Sequence, residues 1–324
     1  MHTVLVTGGC GFIGSHFLEY LLANDPEATV INLDALTYAA QGVNLLRVID
    51  NPRYLFSKGN ICDAAAVDTV MKHAQYVVHF AAESHVDRSI EGPAEFVKTN
   101  VLGTQVLLDS ARKHGIKRFV HVSTDEVYGS LGPKGSFTER SMLAPNSPYS
   151  ASKAGSDMIA RSYWKTFGLD VCVTRASNNY GPHQYPEKLI PVVIKQALED
   201  NPIPVYGDGM NVRDWIHAKD HCAAVYKVLK EGKAGEVYNI GTANELPNLV
   251  LIKKILAILG KPESLISFVP DRLGHDRRYA IDPTKTRKEL GWDAQIDFDQ
   301  GLAETVAWYR EYFAGNIKAE PHHH

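Results

Sequence analysis

The sequence predicts an α/β protein: a doubly wound parallel sheet covered by helices on both faces, joined to a second, smaller α/β lobe. Three observations lead there. Apolar runs rich in Val and Ile alternate with segments of helical period from residue 3 to residue 175. A glycine-rich turn joins the first strand to the first helix, and beyond residue 180 the chain breaks into shorter pieces punctuated by Pro and Gly.

In chain order, strand 3–7 leads into helix 12–23, and strand 29–33 follows. Strand–helix units then repeat as 54–57 with 64–73, 76–80 with 93–114, and 118–123 with 148–167, before strand 171–175. Each strand is a short apolar run bounded by turn residues, and each helix is a longer segment with apolar residues three and four apart. Helix 93–114 is apolar at Phe96, Val97, Val101, Leu102, Val106, Leu107, Leu108 and Ala111, a stripe wider than one sheet-packing face requires. Either a neighbouring helix of the same chain or a second copy covers the excess; we expect a homodimer through helices 93–114 and 148–167. After residue 180, the Pro- and Gly-rich stretch 201–209 lies among helical segments near 186–199, 219–230 and 249–259. This places a first domain at 1–180 and a second lobe at 181–321, with segments such as 219–240 returning to the first; 322–324, after Pro321, reads as a tag remnant.

Composition narrows the function. The chain has 324 residues, 44% hydrophobic and 22% charged, the proportions of a globular enzyme with a large core. Its 34 Lys+Arg against 37 Asp+Glu give a net charge of -3 without a strongly basic segment, which argues against nucleic acid or an anionic membrane as partner. An anionic ligand must therefore be met by local groups. No apolar run approaches the length of a membrane span and no basic leader opens the sequence, so a cytoplasmic location is expected. Cys10, Cys62, Cys172 and Cys222 lie far apart, without a histidine at metal spacing; we expect packing roles in a reducing compartment and no metal.

Between the first strand and helix, Thr7-Gly8-Gly9-Cys10-Gly11-Phe12-Ile13-Gly14 spaces Gly8, Gly11 and Gly14 as G-x-x-G-x-x-G. Glycine allows the tight turn and close backbone approach to a pyrophosphate, whose charge the helix N-terminus meets. The second strand ends at Asp34, where a carboxylate accepts from ribose hydroxyls and repels a 2′-phosphate. With no Arg between Asp34 and Gln41, the expected cofactor is NAD rather than NADP.

Two further segments stand where a parallel sheet places reactive groups, beyond the carboxyl ends of its strands. One is Ser123-Thr124-Asp125-Glu126-Val127-Tyr128-Gly129 and the other Ser147-Pro148-Tyr149-Ser150-Ala151-Ser152-Lys153. Ser147 as N-cap and Pro148 in the first turn put Tyr149 and Lys153 at i and i+4 on one helix face. A nearby Lys cation lowers the pKa of a Tyr hydroxyl, giving a phenolate able to take a proton from a sugar hydroxyl while hydride passes to NAD.

The glycine loop with Tyr149-x-x-x-Lys153 resembles the extended branch of the short-chain dehydrogenase/reductase superfamily, whose fold is Rossmann-type. More narrowly, Ala81-Ala82-Glu83-Ser84-His85 with its continuation to Ile90, Ser123–Gly129 as quoted, Ser177-Asn178-Asn179-Tyr180-Gly181-Pro182, Pro186-Glu187-Lys188-Leu189-Ile190-Pro191, Arg213-Asp214-Trp215 and 271–282 resemble the dTDP-glucose 4,6-dehydratase family over residues 3 to 312. The adjacent Asp-Glu discriminates, because related epimerases and decarboxylases share the loop and the Tyr-Lys pair without it.

The resemblance implies a lyase acting on a nucleotide-activated hexose, with Glu126 removing the C5 proton, Asp125 protonating the departing C6 hydroxyl, Thr124 steadying Tyr149 and the C4 oxygen, and NAD regenerated in each turnover. It also implies that Phe12, Ile13, Ala35, Leu36, Thr37, Ile61, Ala81, Ala82 and Thr99 hold NAD beside the glycines, Asp34, Tyr149 and Lys153. Asn60 stands where the family usually carries an Asp facing the adenine amino group; its side-chain carbonyl can accept the same hydrogen bond. The implied substrate contacts are Ser84, Thr124, Asn178, Asn179, Lys188, Leu189, Pro204, Val205, Tyr206, Arg213, Asn248, Arg272 and His275, with Arg213 and Arg272 suited to a diphosphate. The stretch 130–143 lacks the long insertion of some members. The rival readings are a dehydratase of UDP- or CDP-sugars, a nucleotide-sugar 4-epimerase or decarboxylase, and a non-catalytic NAD-binding protein.

Overall fold

The computed structural model describes residues 1–317, so the tag-like residues 322–324 lie outside the described residues. Its main sheet is parallel throughout and contains β1 (His2–Thr7), β2 (Ala28–Asp34), β3 (Tyr54–Lys58), β4 (Tyr76–His79), β5 (Arg118–Thr124), β6 (Val171–Ala176) and β10 (Val237–Ile240), in the order β10-β6-β5-β4-β1-β2-β3. The strand order reverses between β1 and β4, which opens a crevice at their carboxyl ends. Both faces are covered because the strands are apolar on both. α1 (Phe12–Asn24) and α8 (Ala218–Glu231) enclose one core with Val4, Val6, Val78 and Val120; α2 (Ala64–Met71), α5 (Thr104–Lys113) and α6 (Pro148–Phe167) enclose the other with Leu5, Leu33, Val77 and Phe119. The four free cysteines are packing residues, three buried and Cys62 half-buried.

The second lobe is built on a third core, formed where α7 (Leu189–Leu198), α9 (Asn248–Leu259) and α11 (Phe298–Phe313) pack together around Ile194, Ile255 and Tyr309. Two small sheets flank it: β7 (Asn178–Tyr180), β9 (Val212–His217) and β11 (Glu245–Pro247) in the order β11-β9-β7, and β8 (Ile203–Tyr206) paired with β12 (Ile266–Val269). The helices α3 (Val86–Glu91), α10 (Thr284–Leu290) and α11 were not anticipated from apolar period. No described helix is long and apolar enough to cross a membrane.

Segment 93–114 departs from a plain helix. It begins as α4 (Pro93–Phe96), widens to a π-helix over Val97–Gly103, and resumes as α5. Val97 and Leu102 are exposed, so the broad apolar stripe is only partly buried within the chain.

Candidate active site

The glycine turn after β1 leaves no room for side chains. At Gly14 a Cβ would lie 2.2 Å from the Gly8 carbonyl oxygen, and at Gly8, where φ is +73°, it would lie 2.6 Å from the Ala81 nitrogen on the neighbouring strand's loop. The cradle thus presents bare backbone and the first turn of α1 to an incoming group, the arrangement a dinucleotide pyrophosphate fits. Asp34 closes one side. Its carboxylate accepts from the backbone N–H of Cys10 at 2.9 Å and of Leu36 at 2.8 Å, which fixes it at the crevice edge.

Lining the same cleft are Gly8, Gly11, Phe12, Ile13, Gly14, Asp34, Ala35, Thr37, Asn60, Ile61, Ala81, Ala82 and Thr99 on the cofactor side, then Ser84, Thr124, Asp125, Glu126, Tyr149, Lys153, Asn178, Asn179 and Lys188. Leu36, at φ 55° with its N–H on Asp34, is exposed and its side chain lies outside the lining. The Asn60 side-chain oxygen accepts from the Cys62 N–H at 2.9 Å in a local turn and keeps one lone pair for a ligand.

α6 begins as the sequence indicates. Ser147 and Ser150 form a reciprocal cap, Pro148 occupies the first turn, and Tyr149 and Lys153 share a face that enters the cleft. Lys153 is buried, and its ammonium donates to the Val122 carbonyl at 2.8 Å; burial brings its pKa down to about 8, against the pull of Asp157. Tyr149 is also buried. Contrary to the expected depression by Lys153, its hydroxyl is pushed upward, first by burial and then by the charge of Glu126, while a hydrogen bond with Thr124 acts the other way. The physical reason is the dryness of the pocket and the two carboxyls across it.

Those carboxyls lie in a 3-10 turn, Asp125–Tyr128, in which the Glu126 N–H donates to the Thr124 hydroxyl at 3.2 Å. The turn ends at Gly129, where φ is +83° and a Cβ would lie 2.2 Å from the Ala144 oxygen. Asp125 is buried with an unpaired Oδ2, and burial, then Glu126 and Asp214, raise its pKa well above the carboxylate range. Glu126 is raised by burial too, but Arg213, Arg272 and Lys188 pull it back. One carboxyl is therefore kept as an acid beside another that cations hold nearer its charged form.

On the substrate side the expected residues divide. Lys188 donates to the Ser84 carbonyl at 2.9 Å, joining the two lobes across the cleft, and Asn178 keeps an unpaired buried carbonyl oxygen. Arg213 is buried, with its guanidinium committed to the carbonyls of Val212 and Asp276 and stacked 4.2 Å from the Tyr279 ring. Its charge, like that of Arg272, reaches Glu126, and neither arginine is part of the cleft lining. Arg272 contacts Asp87 at 3.7 Å and keeps a buried, unpaired Nε. Leu189, Pro204, Val205, Tyr206, Asn248 and His275 lie outside the lining. Val205 packs into the second lobe's core, which restricts it to backbone contacts, whereas Pro204 and Tyr206 are exposed and His275 is held by Asp271 at 2.6 Å.

Residues to which the sequence reading gave no role also shape the cleft. Asn100, within the π-helix, accepts from the Glu83 N–H at 2.8 Å, donates to the Glu83 carbonyl at 3.0 Å and to Ser152 at 2.8 Å, tying α6 to the loop after β4. Gly9 faces Asn32, whose Oδ1 would lie 2.3 Å from a Cβ there. Glu187 accepts from Tyr38 at 3.2 Å and faces Arg88 at 3.5 Å, with Arg88 stacked 3.7 Å over the Tyr38 ring.

The family model described as GDP-mannose 4,6 dehydratase matches residues 5–305. The chain belongs to this dehydratase family. A dTDP-glucose 4,6-dehydratase of Actinoplanes sp. is 52% identical to it over 95% of this chain and 97% of that one. The structure of the dTDP-glucose 4,6-dehydratase DesIV from Streptomyces venezuelae, with NAD and dTDP bound, superposes with a TM-score of 0.95 at 52% identity, covering 98% of this chain and 100% of that one. A UDP-glucose 4-epimerase from Thermotoga maritima also superposes, with a TM-score of 0.89 at 32% identity over 96% and 99% of the two chains. Since dehydratases and epimerases share the fold, the reaction has to be read from the side chains in the cleft.

Proposed function

We propose that this dehydratase converts dTDP-glucose to dTDP-4-keto-6-deoxyglucose and water, using tightly held NAD. The observation that carries the reading is the unequal pair Asp125 and Glu126, standing opposite Tyr149 in one cleft. A reaction confined to C4 needs one proton acceptor; an elimination needs an acid and a base besides. NAD, when bound, supplies the acceptor for the C4 hydride and returns that hydride to C6, and its oxidised ring adds positive charge that favours the Tyr149 phenolate.

Tyr149 takes the proton of the C4 hydroxyl, and Lys153 with Thr124 stabilises the phenolate that does so. The 4-ketone acidifies C5–H, Glu126 removes that proton, and Asp125, kept protonated by its burial, gives its own to the C6 hydroxyl, which leaves as water. Hydride addition at C6 and a proton at C5 complete the 6-deoxy product. The substrate diphosphate is assigned to Lys188 and Arg272. The exposed Val97, Leu102 and Met158 on helices 93–114 and 148–167 support a homodimer through that face.

The test is mass spectrometry of dTDP-, UDP-, CDP- and GDP-hexoses after incubation with the protein. dTDP-glucose should lose one water. Dehydration of another nucleotide's sugar with dTDP-glucose untouched would overturn the substrate; an isomer of unchanged mass would point to epimerisation.

A further inference from the structure

The rim of the cleft carries a set of contacts between the lobes that the proposed reaction does not use. On one side runs the loop 35–41 that follows Asp34, pinned at both ends. Asp34 accepts from the Leu36 N–H at 2.8 Å, and Gln41 Oε1 accepts from the Tyr312 hydroxyl on α11 at 2.9 Å. Between these anchors the Ala40 N–H donates to the Thr37 carbonyl at 3.1 Å, a tight turn with Tyr38 at its bend. On the other side is segment 184–188, ahead of α7 in the second lobe. Thr37, Ala39 and Ala40 line the cleft from the loop, and Gln184, Tyr185 and Glu187 line it from the segment.

Glu187 joins the two sides. Its Oε1 accepts from the Tyr38 hydroxyl at 3.2 Å, and its Oε2 lies 3.5 Å from Arg88 Nε on α3 and 3.9 Å from Nε2 of His85, the N-cap of that helix. His85 Nδ1 accepts from the Arg88 N–H at 3.3 Å, which leaves the ring proton on Nε2, the nitrogen nearer the carboxylate. The Arg88 guanidinium stacks 3.7 Å over the Tyr38 ring, and Tyr185 meets the same ring in a T-shaped contact at 5.4 Å. Tyr38, His85 and Arg88 do not line the cleft, and the Arg88 side chain is 49% exposed, so these contacts run across the rim rather than into the pocket.

We propose that Tyr38, Arg88 and Glu187 form a clasp over the cofactor side of the cleft, which must open before NAD can leave. The glycine cradle and Asp34 supply the floor of that side; the clasp joins its two walls. Loop 35–41 cannot part from segment 184–188 until the Tyr38 hydroxyl and the Arg88 guanidinium both give up the Glu187 carboxylate, and bonds to an ionised acceptor are stronger than neutral ones. A cofactor that is reduced and reoxidised within each turnover has no need to exchange, so slow opening costs the reaction nothing.

The clasp rests on the tight retention of NAD in the proposed reaction, and its test needs no sugar, so the two fail separately. The full chain is loaded with radiolabelled NAD, release is timed after adding excess unlabelled NAD, and equilibrium dialysis of the same samples gives the affinity. Tyr38→Phe, which keeps the ring beneath Arg88 and removes one bond to Glu187, should speed release about five- to ten-fold, and Arg88→Gln at least as much. Because a clasp obstructs entry as well as exit, affinity should fall by less than release quickens. Melting by circular dichroism checks that each variant is folded, and either folded variant suffices. Unchanged release, or affinity falling fully in step with release, would make these residues ordinary rim or cofactor contacts and overturn the proposal. A protein that holds NAD in this way yet leaves dTDP-glucose intact would sink the substrate assignment alone.

Discussion

Asp125→Asn and Glu126→Gln will each leave dTDP-glucose oxidised at C4 but not dehydrated. Neither substitution touches the Tyr149 hydroxyl or the glycine cradle, so the first oxidation has what it needs, and reduced cofactor should accumulate after a single addition of sugar. Product formation should fall by about 10²–10⁴-fold, the usual worth of one acid or base. The two variants differ in a further readout. Asp125→Asn removes the proton that C6–OH requires yet leaves the base intact, so exchange of C5–H with deuterated solvent continues; in Glu126→Gln it should stop. Normal product from the double variant, or no reduced cofactor from either single one, would contradict this division of labour.

Tyr149→Phe will abolish the first oxidation itself. The hydroxyl it removes is buried beside Thr124, and Glu126, the base of the same cleft, is assigned to C5 rather than to the C4 hydroxyl, so a loss of at least about 10²–10⁴-fold follows while cofactor binding survives. The pH dependence of the intact protein carries a sign. Because burial raises Tyr149, its phenolate fraction and the oxidation rate should grow with pH, then fall as Lys153 discharges at about 8. Single-turnover absorbance of the reduced cofactor across pH checks both limbs. A rate near that of the unaltered protein in Tyr149→Phe would remove the residue from its role.

What the sequence disclosed was what it encodes locally. The turn from Gly8 to Gly14, the Ser147 cap that puts Tyr149 and Lys153 on one face, and the adjacent Asp125 and Glu126 each lie within a few residues, so spacing alone brings their side chains together. Groups that meet only after folding were out of reach. Asn100 reads as one polar residue in an apolar helix until the π-turn aims it at Glu83 and Ser152. Arg213 and Arg272 look alike in sequence, yet tertiary packing commits the first to backbone carbonyls, while the second faces Asp87 and keeps an unpaired Nε. The upward shift of Tyr149 has the same origin: a helical i, i+4 neighbour is visible in sequence, but the burial and the Glu126 charge that push the hydroxyl up are properties of the folded cleft.

The central claim is that one cleft oxidises C4, expels water across C5 and C6, and delivers the same hydride to C6. dTDP-glucose carrying deuterium at C4 tests it directly with the unaltered protein. The label should reappear at C6 of the 4-keto-6-deoxy product, within one sugar molecule when labelled and unlabelled substrates are mixed, with the C5 hydrogen drawn from solvent. Deuterium returned to C4, or exchanged freely between sugar molecules, would contradict the account.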